Sequence, residues 1–594
     1  MVPAVTTHGF RGAVSQLSQL ASARARLARL RTPFVDWCAV SHGLVRVSWV
    51  TGLMLAVPTL AWAAPPEDAG PPAPVSEPPQ NTIDAEQLRR MQEQLDALES
   101  EVQRLRGELE DRESQPVPEP PPKPEPAPEV EPEPEPEPDQ PTTVGVASDG
   151  QRPPDYADGF HFGSYGRVVA AGDARGRPGR DADIVGRGSR FDESTYAELE
   201  LRREDYWKQT GAYTRVVATV AFRHPIFHYS GDFDAAIALR NLYIEETDLG
   251  LKRLSFWAGS RMYRGDDIYV LDWWPLDNLN TIGGGAGYQF EGGTFIKVHA
   301  GVNQPQTRFY TQLVARPLPL NQPGETDVAI LDRQQIVSSY KLGHVFHIGH
   351  SGGGVKLVGY GETHHVRAGQ RELLGEFREF EAVPPDNGYV AGGEVSLFTG
   401  KRSTHLNLWV RHAWDLAAYG EFSRPTQLAP NGTTKGAREL IVALGGNYEV
   451  SFFGVMMGAY FRRYRNASPD LDLFDLNEGI VLVRPQFWFG NVAGTAIEAS
   501  YQAQQRAAFP NLEQDTTGPL FASLWRVGVM PFWAPAGRGS YARPHIRAFY
   551  MATIRDDGAQ SLYAQDDVFA QRAVDHLIGF GAEWWFGSTS YFRD

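Results

Sequence analysis

The residues best suited to binding a solute are concentrated in one stretch, WAGSRMYRGDDIYVLDWW, at residues 257–274. Its first part alternates, so Trp257, Arg261 and Tyr263 share one face of a predicted strand. Its second part interleaves charged residues with aromatic ones, namely Arg264, Asp266, Asp267, Tyr269, Asp272, Trp273 and Trp274. Aromatic rings pack on the apolar face of a pyranose and charged groups bind its hydroxyls, so the stretch suits a sugar path. An exposed loop with a few buried rings is the alternative interpretation.

Composition limits the class of protein. The chain has 594 residues, of which 60 are glycine and 11% are aromatic, and this indicates a large, loop-rich protein that is not a helical membrane protein. The formal net charge is -16, but a Pro/Glu-rich segment contributes much of it, so the charge says little about a partner. We expect no nucleic-acid partner. The only cysteine, Cys38, precedes a predicted cleavage site, and we expect no disulfide, metal or cofactor.

A secretory signal peptide is predicted near the start of the chain. Residues 45–63 contain Arg46, an apolar run and an Ala-Trp-Ala ending of the small-x-small type, which predicts cleavage after about Ala63. We therefore assign residues 1–64 to a signal-peptide region. Residues 1–44 are unusually long for the segment before a signal-peptide core. Either the start codon is set too far upstream or the n-region is extended.

Two segments without a core of their own follow the signal peptide. Leucine, methionine and valine recur at steps of three and four over residues 83–112, which predicts a coiled coil within a periplasmic segment, 65–114. The coil implies an oligomer and a site of contact with the cell wall or a periplasmic partner. Residues 115–158 are Pro/Glu-rich, prefer extended polyproline II and are expected to act as a spacer, with a functionless tail as the alternative.

From residue 159 to 594 the pattern changes to short alternating segments. In HLNLWVRHAW, for example, Leu406, Leu408 and Val410 oppose Asn407 and Trp409. Polar faces of this kind meet bulk water in a soluble sandwich, but line a wet interior in an outer-membrane barrel. The signal peptide and the size of the domain favour an all-β fold, a transmembrane antiparallel β-barrel. Roughly 24 residues per strand and connection allow about 18 strands.

Five strings carry a resemblance to a known family: FHFGSYGR, STYAELEL, ALRNLYIE, the stretch at 257–274, and YARPHIRAFY. With these strings the chain resembles the maltoporin family of outer-membrane sugar channels, and the heptad segment resembles the periplasmic extension of the related sucrose porins. The resemblance implies a trimeric barrel of 18 strands whose third loop folds inward. It also implies a row of aromatic rings, the slide, flanked by an ionic track along which sugars pass.

The resemblance assigns roles to individual residues. Tyr165, Tyr196 and Trp585 match slide aromatics, and Phe233 matches a ring that reaches into the neighbouring subunit. Trp274 replaces a tyrosine of the track. The family's constriction arginine falls on Gly265 here, and the neighbouring Arg264 is the expected substitute. The other residues that match the ionic track are Arg167, Arg190, Glu198, Arg240, Asp267 and Asp272. Two slide rings are missing, near Ala391 and around 478–479, which weakens the expected preference for long maltodextrins. As the structural alternative, the charged residues form ion pairs that only stabilise the barrel wall. The aromatic residues then belong to the belts of rings at the membrane interfaces.

The sequence thus predicts a passive, sugar-selective porin of the bacterial outer membrane, with its N-terminal extension in the periplasm. Its predicted partners are oligosaccharide solutes, membrane lipid and two further copies in a homotrimer. A general or anion-selective porin is the first alternative, and an envelope tether that acts through the coiled coil is the second. An enzyme is disfavoured because the sequence has no recognisable Ser/His motif, no His-Glu-x-x-His and no metal-spaced cluster.

Overall fold

The structure is a computed structural model. It describes residues 158–174, 182–190, 195–223, 236–319, 322–349, 352–373, 379–399, 403–425, 427–469, 475–507 and 519–588. The predicted signal peptide and coiled coil, nearly all of the Pro/Glu-rich spacer, and Phe233 lie outside the described residues.

The described residues form a closed β-barrel. Eighteen antiparallel strands within them pair in one sheet, and the sheet closes because the first strand pairs with the last as well as with the second. The barrel strands are β1 (Gly159–Asp173), β2 (Tyr196–Trp207), β3 (Ala212–Arg223), β4 (Ala236–Thr247), β5 (Leu254–Arg264), β6 (Asn278–Gln289), β7 (Thr294–Asn303), β10 (Gln335–Ile348), β11 (Gly353–Val366), β14 (Asp386–Phe398), β15 (His405–Asp415), β16 (Arg438–Val450), β17 (Phe453–Arg465), β18 (Leu476–Phe489), β19 (Ala493–Ala507), β20 (Pro519–Trp533), β21 (His545–Arg555) and β22 (Val574–Phe586). The predicted fold class and strand number are confirmed.

The remaining regular elements lie in the connections. Two hairpins, β8 (Thr311–Pro317) with β9 (Glu325–Asp332) and β12 (Gly369–Glu372) with β13 (Phe380–Val383), extend long loops at one end of the barrel. Short helical turns occur at Tyr269–Leu271, Leu416–Tyr419 and Asp557–Gln560. Within the described part of the chain, no helix is both long and apolar enough to cross a membrane.

The two faces of the wall have opposite character. On β15, Leu406, Leu408 and Val410 are 38%, 43% and 45% exposed, whereas Asn407 and Trp409 are 0% and 1% exposed. Apolar side chains on the outside and polar ones inside are the reverse of a soluble protein. This arrangement suits an outer surface in contact with hydrocarbon and a polar interior, the lumen. The alternation predicted for this strand is confirmed.

Buried charges on the inner face are paired, both between neighbouring strands and within one strand. Arg484 on β18 and Glu498 on β19 are both almost completely buried, and their side chains lie 2.6 Å apart. On β2, Arg202 and Glu204 are likewise buried, with Arg202 Nε 2.8 Å from Glu204 Oε1. Because a buried charge without a partner costs several kcal/mol, these pairs are needed to keep a charged inner wall stable.

The connections differ in length at the two ends of the barrel. Short turns such as 208–211 and 451–452 alternate with longer loops, so one end is a short-turn end and the other a long-loop end. Residues 534–544 are an exception, because they form a long connection at the short-turn end. This connection folds back toward the lumen, as described below.

Changing Leu408 to Arg tests the outward orientation of the apolar face. The charge would face hydrocarbon near the middle of the apolar band, so we expect a loss of about 2–4 kcal/mol in the free energy of unfolding. Leu408→Ala, which removes apolar surface but adds no charge, should lose clearly less. Urea unfolding in lipid vesicles measures both. Equal losses for the two variants would contradict a lipid-facing position.

Candidate functional site

The connection between β5 and β6, residues 265–277, folds into the lumen and is called the inner loop below. Near its two ends, Asp266 pairs with Lys356 on β11 and Asp277 pairs with Lys341 on β10. Farther along, the ring of Trp273 lies 5.1 Å from that of Tyr460 on β17. The inner loop therefore crosses the barrel interior from β5 and β6 to the opposite wall, as the family resemblance implies.

The tip of the inner loop is apolar and is packed against that wall. Ile268, Val270 and Leu271 are almost completely buried. Gly458 on β17 leaves the space they occupy, because a Cβ there would lie 2.6 Å from Val270 Cγ2 and 2.8 Å from Ile268 Cγ2. Tyr269 and Trp273, which alternate with charges in the sequence, are buried in the same packing. Much of the predicted sugar-binding stretch thus fixes the loop in place.

A tight turn at the tip aims one carboxylate at the arginines. Residues 269–271 form a 3-10 turn, which Asp272 ends in the left-handed conformation at φ 46°. Aspartate tolerates this conformation better than most residues. The backbone of Ile268 then donates to Trp273 at 2.7 Å, which closes the turn. As a result the side chain of Asp272 lies beside Arg167 and Arg190.

Four of the predicted residues meet in one charge cluster. Arg190 Nη1 is 2.8 Å from Asp272 Oδ1, and Arg190 Nη2 donates to the hydroxyl of Tyr165 at 2.5 Å. Arg167 Nη1 lies 3.5 Å from Asp272 Oδ2. Tyr165 and Arg190 are 2% and 3% exposed. These two residues therefore position their neighbours, and most of their own surface is covered.

Sequence reasoning missed the centre of this cluster, Glu583. Its carboxylate is 0% exposed and lies 2.8 Å from both Arg190 and Arg543, with Arg547 at 3.7 Å. The hydroxyl of Tyr269 donates to it at 3.0 Å. Burial raises the pKa of Tyr269, so at neutral pH the phenol keeps the proton that it donates. Alternation along the strand puts Glu583 on the same face as Trp585, but it does not show which residues surround the carboxylate.

The exceptional connection 534–544 reaches the same cluster from the short-turn end. Its Tyr541 packs edge-on against Tyr269, with ring centroids 5.3 Å apart. Its Arg543 lies over the ring of Trp585 at 4.3 Å and donates to the Tyr269 hydroxyl. The predicted slide ring Trp585 is therefore half-buried between Arg543 and the tip of the inner loop.

A second group contains Tyr196, Glu198 and Arg240. The pairing of β3 with β4 shifts at Thr219/Val220, and Arg240 is the extra residue of this irregularity. Such bulges redirect a side chain, and the Arg240 guanidinium contacts both the Tyr196 hydroxyl and the Glu198 carboxylate. Glu198 is buried, but Tyr196 keeps exposed surface and its ring centroid lies 5.8 Å from that of Tyr165.

The other predicted residues lie at the start and end of the inner loop. Arg264 lies over the ring of Trp274 at 3.7 Å and donates to Asn278 Oδ1 at 2.8 Å. Trp274, Arg264 and Asp267 all keep partly exposed surface. The predicted site residues that keep partly exposed surface are Arg167, Tyr196, Arg240, Arg264, Asp267, Asp272, Trp274 and Trp585.

The two positions near which slide rings are missing face opposite sides of the wall. Ala391 lies on the outer face of β14, next to Val390, which is buried on the inner face, so no residue at 391 could line the lumen. Glu478 does face inward, but it accepts a hydrogen bond from Gly186 N at 2.9 Å. It thereby helps to hold the loop segment 182–190, which places Arg190.

That segment docks on the inner wall of β18–β20. Asp183 pairs with Arg526 at 2.8 Å, and the backbone of Ile184 donates to Gln502 at 3.0 Å. These contacts join residues more than 300 positions apart in the chain. Sequence spacing therefore could not show where in the barrel the side chain of Arg190 lies. Among the described residues, no group of three or more His, Cys, Asp or Glu side chains could hold a metal ion.

Comparison with known proteins identifies one family. The model of that family, described as LamB porin, matches residues 160–586. No curated protein matches the chain. Solved structures that resemble it include OccAB1 of Acinetobacter baumannii, with 10% identity, 73% of this chain and 97% of that chain covered, and a TM-score of 0.37. The outer membrane protein OprD of Pseudomonas aeruginosa has 8% identity, coverages of 75% and 98%, and a TM-score of 0.36.

Changing Gly458 to Ala tests the docking of the inner loop. The added methyl group would collide with Val270 and Ile268, and overpacking of this kind costs about 1–3 kcal/mol. We expect the tip to detach, so single-channel conductance and current noise should both rise. Gly359→Ala is the matched control, because its nearest atom, Leu342 O, is 3.9 Å away. Unchanged noise and conductance in Gly458→Ala would contradict the docked position.

Changing Glu583 to Gln tests the charge cluster. The variant leaves three buried arginines without their shared carboxylate, and we expect a loss of about 3–5 kcal/mol in the free energy of unfolding. Glu291→Gln removes a carboxylate that is 86% exposed and should have no measurable effect. Urea unfolding of the reconstituted protein compares the two. Equal urea midpoints for Glu583→Gln and Glu291→Gln would contradict a stabilising role for the cluster.

Proposed function

Because the chain belongs to the LamB porin family, we propose that it allows passive, selective diffusion of carbohydrates. The family and the closed barrel make it a porin of the outer membrane, through which solutes diffuse. The observation that supports carbohydrate selectivity is the partly exposed Tyr196 ring, with the guanidiniums of Arg167 and Arg240 at 5.5 and 5.3 Å from its centroid. Such a ring offers a pyranose an apolar face and hydrogen-bond donors together.

The proposed mechanism involves no bond chemistry. A sugar gives up part of its hydration when it enters the narrow passage beside the inner loop. Charged donors and acceptors such as Arg264 and Asp272 replace the lost hydrogen bonds, while Tyr196 and Trp274 cover the apolar faces of the ring. Each contact must remain weak, because a solute that binds tightly does not leave. The gradient alone drives net movement.

The buried members of the site make this surface rigid in our proposal. Tyr165, Arg190 and Glu198 have little surface for a solute, but they contact Asp272, Arg240 and Tyr196 directly or through one partner. A side chain that is already fixed loses little entropy when a sugar binds. We therefore assign slide and track roles to the exposed residues and positioning roles to these three.

Short carbohydrates of maltose or sucrose type are the proposed solutes. Long maltodextrins need several rings in series, and each ring contributes on the order of 1 kcal/mol. In this chain the wall near β16 and β17 is covered by the tip of the inner loop, with Val270 and Ile268 against Gly458. Fewer ring positions therefore remain for successive sugar units.

An anion-selective porin is the second candidate. Three guanidiniums with partly exposed surface, those of Arg167, Arg240 and Arg264, favour it. The carboxylates of Asp267 and Asp272 oppose it, because they balance much of this charge. Reversal potentials in a salt gradient separate the candidates: a strong preference for chloride supports anion selectivity, and a weak one supports the carbohydrate porin.

The homotrimer, the reach of Phe233 into a neighbouring subunit and the periplasmic contact of the coiled coil remain predictions. All three follow from the resemblance or from the heptad pattern. Mass measurement of the detergent-solubilised protein, with and without residues 65–142, tests the trimer and the contribution of the coil to it.

Changing Tyr196 or Trp585 to Ala tests the carbohydrate path. Each variant removes one ring contact worth about 0.5–1.5 kcal/mol, so sugar-induced current blocks in planar bilayers should shorten by roughly two- to tenfold. Tyr389→Ala is the control, because Tyr389 lies on the outer face of β14 and is 52% exposed. Open-channel current that no oligosaccharide at millimolar concentration interrupts would contradict the proposal.

A further inference from the structure

A cavity of about 180 Å³ lies on the lumen face of β3–β7. The side chains that define it are those of Arg215, Glu245, Trp257, Arg261, Tyr263 and Lys297. Strand β5 runs from the short-turn end to the inner loop, and Trp257 precedes Arg264 by seven positions, or roughly 23 Å of strand. The cavity therefore lies on the short-turn side of the inner loop. Short turns face the periplasm in outer-membrane barrels, so a solute that enters from outside would reach the cavity after the narrow part.

The space exists because β6 has no side chains on this part of its inner face. Gly283, Gly285 and Gly287 occupy consecutive inward positions, opposite Gly259, Trp257 and Ser255 of β5. A Cβ on Gly285 would collide with the Trp257 indole nitrogen, and one on Gly287 would lie 2.9 Å from Ser255 Oγ. Glycine at these positions leaves room both for the large indole and for the cavity beside it.

A stack of flat rings forms one side of the cavity. The ring of His299 lies 5.5 Å from that of Trp257 and 5.2 Å from that of Tyr263, with interplanar angles of 10° and 11°. His299 is held in turn by Thr281, whose hydroxyl oxygen lies 2.7 Å from His299 Nε2. The stack is thus a fixed apolar surface at the edge of a polar cavity.

The lining is predominantly cationic. Arg215, Arg261 and Lys297 face one carboxylate of the lining, that of Glu245. Arg261 Nη1 lies 3.1 Å from Glu245 Oε1, and Arg215 Nη1 lies 3.6 Å from Glu245 Oε2. Arg215 has a second carboxylate partner, Glu204, at 3.0 Å. Among the described residues of the lining, with Glu204 added, three cations face two carboxylates, so an anionic ligand suits this lining better than a cationic one.

We propose that this cavity is a subsite for one ring of an anionic sugar, a pyranose that carries a carboxylate or phosphate group. The volume is below the ~300 Å³ at which sites for drug-sized ligands begin, so we limit the proposed ligand to a single ring. The anionic group faces Lys297 and Arg215, and the ring lies against the Trp257 and Tyr263 stack. The inference rests on the proposed carbohydrate porin and adds a charge preference at its exit.

Paired solutes provide the test. Glucuronate and glucose differ mainly in the carboxylate, and each is added to the short-turn side of a planar bilayer that contains the whole protein. Current noise gives the apparent binding constant. We expect glucuronate to bind more tightly than glucose, and Lys297→Gln to weaken glucuronate by about two- to fivefold, the range of one partly exposed ion pair. Binding of glucose should not change.

Two further variants make the result specific. Lys252→Gln removes a charge that is 72% exposed in the short turn 248–253, outside the cavity, and should leave both solutes unaffected. Gly287→Val combined with Ser255→Ala removes the hydroxyl that the new Cβ would meet and adds three carbon atoms, so it narrows the cavity without changing a charge, and it should weaken glucuronate as well. Equal binding of glucuronate and glucose, or equal effects of Lys297→Gln and Lys252→Gln, would overturn the inference.

Failure of the subsite can be distinguished from failure of the carbohydrate path. If neutral oligosaccharides block the current in a Tyr196-dependent manner but glucuronate shows no preference, the subsite is wrong and the path stands. If glucuronate binds in a Lys297-dependent manner while no neutral oligosaccharide blocks the current, the anionic subsite stands and the neutral path is wrong.

Discussion

The positions of the connections inside the pore depend on the contacts of one buried carboxylate, that of Glu583. It belongs to the last strand of the barrel, yet it binds Arg190 from the loop segment 182–190, Arg543 from the connection 534–544 and Tyr269 from the inner loop. Three connections that enter the lumen from both ends are therefore held at one point. Since a buried charge is stable only when it is paired, each of these connections also depends on the others.

This arrangement gives the pore two unlike sides. The inner loop fills the side near β16 and β17, where Gly458 accommodates its apolar tip. The other side, near β1 and β2, keeps Tyr196 and Arg167 partly exposed, and Asp272 reaches Arg167 from the inner loop. The residues that could bind a solute are thus concentrated on one side of the inner loop. The cationic cavity beside Trp257 continues that side toward the short-turn end.

The barrel could be predicted because its physical signal is local. Alternation of apolar and polar residues along single strands, as at Leu408 and Asn407, requires only a wall with unlike faces. Burial within the site could not be predicted, because it depends on contacts between residues far apart in the chain, such as Ile184 with Gln502. The outward orientation of Ala391 was hard to predict for a local reason: Gly392 and Gly393 follow it, and residues without side chains hide which face a position belongs to. Glu583 carried a signal, since it shares the face of Trp585, but nothing in the sequence showed its three arginine partners.

Accessibility of position 196 to a water-soluble thiol reagent tests the central claim most directly. Tyr196→Cys places a thiol on the inner face of β2. Leu199→Cys places one on the outer face, where Leu199 is 43% exposed. Both variants also carry Cys38→Ser, which removes the natural cysteine. If the polar face lines a path for sugars, modification at 196 lowers the channel current and maltose slows the reaction, whereas modification at 199 leaves the current unchanged. Loss of current from 199 and not from 196 would contradict the account.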